Sequence, residues 1–210
     1  MADLIKGIQM LIDVSMPITR ETQVYPGDRR FEHYFRADFQ PGEEYSASYM
    51  IMSAHTATHM DSPYHFNRSG WRMGDIPLAL FSGLVDVVRI AHGGAIETAD
   101  LPEVARGQAL FLQTPALASR IDPASAYLSL SGAARVLDLG YKLIGIDQMS
   151  MDRIDSDTFP VHKMLMGKNM PFIENLRLGG IEAGHYEYFS APLNIPRAEA
   201  APCRVFLRKL

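Results

Sequence analysis

Short apolar runs, alternating or continuous, broken by glycine, proline and polar clusters, divide the chain into many strands and few helices. Leu11-Ile12-Asp13-Val14-Ser15-Met16 reads as a first strand, and Tyr25-Pro26-Gly27-Asp28 is a strong turn signal. Phe31 to Phe35 and Ser46 to Ser53 predict further strands, the second leading straight into a histidine-rich segment. Leu84 to Ile90 is a strand closed by the turn His92-Gly93-Gly94, and a short helix is expected near Asp100 with Pro102 in its first turn. One βαβ-like unit follows: a strand over Gln108 to Thr114, a helix capped by Ser131 that runs through Leu139 and stops at Gly140, and a strand over Lys142 to Asp147. Pro202 to Leu207 is the last strand. With 210 residues, no internal repeat and no linker, the pattern predicts one domain over residues 1–210.

Composition narrows the function classes. A net charge of −4 gives no reason to expect a polyanion, so nucleic acid is not an expected partner. Asp3, Lys6 and Asp13 interrupt the first apolar positions, so neither a signal-peptide core nor a membrane span is drawn there, and a cytoplasmic protein is expected. Cys203 is the only cysteine; it cannot form an internal disulfide and is expected to be a small buried apolar residue or an idle thiol. No Gly-x-Gly-x-x-Gly or phosphate loop supports a nucleotide cofactor.

The chemistry concentrates in Ala54 to Phe66, where His55, His59, His65 and Asp61 fall within eleven residues. Imidazole and carboxylate are the ligands that a borderline cation such as zinc or manganese accepts. On a helix His55 and His59 share a face but Asp61 points away, and Pro63 forbids a helix interior. In an extended chain positions 55, 59, 61 and 65 share parity, which predicts a strand end with Asp61-Ser62-Pro63 turning into a loop. The alternative, separate hydrogen-bonded histidines, fits a cluster of this density poorly.

Elsewhere the residues alone are less telling. His33 and His92 read as surface residues and His185 as facing solvent or a partner, while Trp71 anchors the Asn67 to Asp75 loop or lines a pocket. Asp147, Asp152, Asp155 and Asp157 lack the glycine and terminal glutamate of a calcium loop and predict a solvated loop. His162 and Glu174 stand out in no way of their own.

The histidine segment resembles the signature of the cyclase family of metal-dependent hydrolases, which includes bacterial kynurenine formamidases and isatin hydrolases: His-x-Gly-Thr-His-x-Asp-x-Pro-x-His. His55, Thr58, His59, Asp61, Pro63 and His65 match it, and Ala57 stands at the glycine. If that glycine serves a positive φ, alanine costs about 1 kcal/mol there. The resemblance implies an α+β fold of the swivelling β/β/α kind, with a central curved, barrel-like mixed sheet, flanking helices and a homo-oligomeric assembly. It also implies that His55, His59, Asp61 and Glu174 bind one divalent ion, and Asp61, His162 and Glu174 a second. Zinc or manganese, one or two ions per chain, fits this donor set. His65 is implied as proton donor and acceptor, with the rival role of a further ligand. Tyr25 takes the place of a tryptophan that contacts the substrate aryl group; otherwise it is a loop tyrosine packed on the core. The expected activity is metal-dependent hydrolysis of a small amide, formamide or lactam with an aromatic portion. Ester or lactone hydrolysis, cyclisation or dehydration, and a catalytically silent metal-binding protein are the alternatives.

Overall fold

Ala109-Leu110-Phe111-Leu112-Gln113 is buried at every position, as a parallel strand covered on both faces must be. In the computed structural model, which describes residues 11–39, 42, 44–115 and 120–210, this run is β7 at the middle of the main sheet. The strands around it are β4 (His59–Asp61), β5 (Ser82–Arg89), β9 (Leu143–Ile146), β10 (Phe172–Glu174), β11 (Gly184–Pro192) and β12 (Ala200–Lys209). Their order is β12, β11, β5, β7, β9, β10, β4, and β4 pairs back onto β12, so seven strands close a ring. A short β1 (Ile12–Asp13) adds to β12. The pairs β5–β7, β7–β9 and β9–β10 are parallel and the others antiparallel, which makes the mixed barrel that the resemblance implies.

Side-chain alternation splits the core in two. Phe111, Val85, Val87, Met60, Ile173, Tyr188 and Val205 fill the barrel, while Leu110, Leu112, Ile144, Ile146 and Phe172 face the helices α1 (Leu130–Asp138) and α2 (Pro160–Met166). Gly145 is required by this packing. A Cβ on it would stand 2.7 Å from both the Phe111 ring and the Leu176 side chain. Cys203 is buried on β12, as expected.

Two additional strands, β2 (Glu32–Asp38) and β3 (Ser46–Ile51), form a separate ribbon; β6 (Ala95–Ile96) and β8 (Tyr127–Leu128) pair in parallel. Three local expectations are corrected. Ser129, not Ser131, caps α1, because its hydroxyl accepts the Gly132 N–H at 2.9 Å while the Ser131 hydroxyl turns to Glu97. The helix expected near Asp100 is a single 3-10 turn, Thr98–Asp100, and Pro102 lies beyond it. The Asp147 to Asp157 stretch is not uniformly solvated: Asp155 and Asp157 are exposed, but Asp152 is 3% exposed and points inward. No described helix is long and apolar enough to cross a membrane.

Candidate metal centre

Period-two alternation puts His59 and Asp61 on one face of β4, with Met60 in the barrel core between them. Glu174 lies directly opposite His59 in the antiparallel β4–β10 register. The common parity holds only for these two candidate ligands. His55 arrives from the turn before β4, and His65 from the 3-10 turn Pro63–His65 that follows Ser62. Pro63 ends the strand as the sequence predicts, but the chain then curls back, so His65 rejoins the cluster by curvature.

All four segment residues therefore converge, and His162 and Glu174 converge with them. His55 Nδ1 is 2.9 Å and His59 Nε2 3.3 Å from Asp61 Oδ1; His59 Nε2 is 3.5 Å from Glu174 Oε2. His162 Nε2 lies 4.0 Å from Asp61 Oδ2 and 3.6 Å from Glu174 Oε1. The His65 ring centroid is 4.5 Å from that of His55 and 6.1 Å from that of His162.

The donor set fits a divalent cation. His59 Nε2 and both Asp61 oxygens are buried without an aligned hydrogen bond, a costly state that a metal relieves. One donor atom each from His59, Asp61 and Glu174 lie within 4.8 Å of one another, and so do donors from His55, Asp61 and His65. The second group brings in His65 where the resemblance implies His162.

Electrostatics separate His65 from its neighbours. Burial opposes a charged imidazole at every site, but the Asp61 and Glu174 carboxylates overcome it at His59 and push its pKa up to about 10. His55 is raised in the same way, chiefly by Asp61, and His162 chiefly by Asp152. Burial likewise opposes charge on Asp61, yet the adjacent His55 and His59 rings hold its carboxyl well below the usual carboxylate range. This half of the pocket calls for positive charge. At His65 burial prevails and the pKa falls, leaving a neutral imidazole.

Nδ1 of His59 is fixed by the Ala57 carbonyl at 2.8 Å, and Nδ1 of His162 by Asp152 Oδ2 at 2.6 Å. Both rings thus present Nε2 inward. Neither ring nitrogen of His65 has a hydrogen bond among the described residues.

These side chains line a cavity of about 190 Å³ whose wall is largely aromatic. Phe66 and Phe159 pack at 5.1 Å between centroids, and Tyr25 lies 6.4 Å from Phe159. The turn beneath Tyr25 forms as its sequence predicts, with Gly27 at φ +96° and the Asp28 N–H on the Tyr25 carbonyl at 2.9 Å. Trp71 stays outside the cavity, packs on the barrel core and donates its backbone N–H to Asn169 Oδ1 at 3.2 Å, so it anchors its loop. His185 is half exposed with Nδ1 2.7 Å from Asp86, and His92 is exposed beside Asp100; both lie away from the centre.

Sequence reasoning missed Asp152, Phe159, Phe66 and Glu199, whose Oε1 is 3.6 Å from His55 Nε2. A histidine ligand calls for an acceptor behind it, so a carboxylate ten residues before His162 was the available signal for Asp152. The aromatic pair carried none, because a phenylalanine reads the same in a core and in a pocket.

The Cyclase family model matches residues 12–153. The kynurenine formamidase of Paracidovorax citrulli is 32% identical over 214 residues, covering 95% of this chain and 97% of its own. That of Geobacillus thermodenitrificans is 31% identical over 206 residues, with 95% and 97% covered. Among solved structures, isatin hydrolase A from Labrenzia aggregata, bound to benzyl benzoate, superposes with a TM-score of 0.84 at 18% identity over 98% of this chain and 97% of its own. A protein from Bacillus stearothermophilus described as a predicted metal-dependent hydrolase gives 0.79 at 24% identity over 96% of this chain and 98% of its own. At those identities the two structures speak for the fold, while the family match and the formamidase relatives place the chain itself: it belongs to the Cyclase family.

Proposed function

We propose that this protein is a metal-dependent hydrolase that opens the C–N bond of a small aromatic amide, formamide or lactam. The observation that carries the reading is the buried convergence of His59 Nε2 with Asp61 and Glu174, none of the His59 Nε2 and Asp61 oxygens having an aligned hydrogen bond, beside a neutral His65 and an aromatic wall. Kynurenine formamidase relatives over nearly the whole chain support the same bond type.

In this reading His55, His59, Asp61, His162 and Glu174 would hold one or two ions of zinc or manganese, and the negative charge of the two carboxylates would offset the repulsion between two dications. When bound, such a metal polarises the carbonyl and lowers the pKa of water towards about 7. Tyr25, Phe66 and Phe159 take the aryl ring and exclude water from one side of the scissile bond. His65, kept neutral by burial and free at both ring nitrogens, accepts the proton of the attacking water and returns it to the leaving nitrogen.

The reading extends to a cytoplasmic homo-oligomer. The β2–β3 ribbon supports assembly, because Phe35, Tyr49 and Met50 are each more than half exposed on an element that is marginal alone.

The test is hydrolysis of formanilide by protein reconstituted with zinc or manganese, beside a phenyl ester and an aryl lactone. Release of formate and aniline with metal, and none after chelation, is expected. Turnover of the ester and lactone alone would replace the amide reading.

A further inference from the structure

Asp152 is a buried carboxylate, and the fold gives it three donors. Its Oδ1 accepts the Val161 N–H at 2.9 Å; its Oδ2 accepts the His162 N–H at 2.9 Å and faces His162 Nδ1 at 2.6 Å. The two backbone bonds start α2, whose own flanking residue Phe159 has no side-chain cap and sits at φ 46°, ψ 56°. A serine or threonine hydroxyl would suffice for that. A full charge beneath an imidazole is more than a cap requires, and burying it is costly unless it is paired.

The pairing has a direction. A carboxylate only accepts, so His162 Nδ1 must carry the proton, and its Nε2 is turned toward Asp61 and Glu174. One residue earlier the Met151 N–H donates to Glu174 Oε1 at 2.6 Å. A single loop, residues 149–152, thus fixes both an imidazole and a carboxylate oxygen on the same side of the cavity.

We propose that Asp152 is a positioning residue that orients His162 as a metal ligand, an anchor distinct from the one that orients His59. This rests on the metal-dependent reading above. The two rings are anchored differently: His59 leans on the neutral carbonyl of Ala57, whereas His162 leans on an anion that raises its basicity as a ligand. Removing the anion weakens one ligand and leaves the anchor of the other.

Two measurements test it. Competition titration of zinc against a chromophoric chelator compares the wild type with Asp152→Asn, and ring ¹H–¹⁵N spectra report which nitrogen of each histidine bears the proton. In the variant at least one equivalent of zinc should bind about 10–100-fold more weakly. The His162 Nδ1–H signal should disappear while that of His59 persists as the internal control for an intact site. Wild-type affinity and stoichiometry in the variant overturn the proposal. If the variant does not fold, the spectrum of the zinc-loaded wild type decides: a proton on His162 Nε2 with none on Nδ1 overturns it, and one on Nδ1 alone supports it. A wild type that binds no zinc removes the metal reading and this proposal with it, an outcome distinct from a variant that binds as the wild type does.

Discussion

The Ala57 carbonyl meets Nδ1 of His59 at 2.8 Å, and it does so from a backbone at φ +57°. Two residues apart, one carries conformational strain and the other a candidate ligand. The left-handed turn points the carbonyl back at the imidazole and fixes Nε2 toward Asp61 and Glu174. The family signature that this segment resembles has glycine at this place, a residue that adopts such a φ freely. Here alanine holds it.

Ala57→Gly should therefore stabilise the protein modestly. Relief of the left-handed strain, less the extra freedom glycine gains in the unfolded chain, amounts to up to about 1 kcal/mol. Urea unfolding should show a higher midpoint with an unchanged slope, and metal content should not change. A loss of stability would mean that the alanine methyl packs usefully in its buried position.

His65 should separate proton transfer from ligation. His65→Gln should lower kcat on formanilide by about 10²–10⁴-fold while metal content stays at the wild-type level. Because burial lowers the His65 pKa, the acid limb of the kcat/KM profile should fall below the ordinary imidazole value. Loss of metal in this variant would make His65 a ligand, as its grouping with His55 and Asp61 also allows.

Phe159 should govern aryl binding. Its ring packs against Phe66 and His162, so Phe159→Ala should raise KM for formanilide about 5–30-fold, the effect of losing roughly 1–2 kcal/mol of apolar contact, with little change in metal content. An equal fall in kcat with KM unchanged would place the ring at the transition state alone.

Asp147 sets a pH dependence of stability. Burial raises its pKa, and the Thr114 donors and Arg120 offset that only in part, leaving it pushed up to about 6. The unfolded chain loses this proton near the ordinary value of 3.8, so the folded state holds more protons between the two values. Stability from this group is therefore present at low pH and is lost as pH rises through about 4 to 6, by roughly 2–3 kcal/mol in all. Asp147→Asn should flatten this part of the difference in unfolding free energy between pH 4 and pH 7. An unaltered slope would mean the carboxyl is already ionised at its ordinary value.

The legible part of this fold was whatever local periodicity controls. Leu84 to Ile90 and Gln108 to Thr114 announce β5 and β7, and the Pro26-Gly27 turn forms as read. Within the site, His59 and Asp61 follow from strand alternation, but His65 does not, since a curl after Pro63 brings it back. His162 and Glu174 needed the family resemblance, because their approach depends on α2 and β10 meeting through the closed ring. Asp152 looked like one more aspartate in an acidic loop; only the helix start above it makes it a buried anion.

The central claim is that His59 and Asp61 form the heart of a metal centre. Elemental analysis of protein purified without added metal, beside His59→Ala handled identically, tests it most directly. Zinc or manganese retained by the wild type and lost by the variant is the predicted result. A wild type without metal even after reconstitution, or a variant that keeps the full complement, would contradict it.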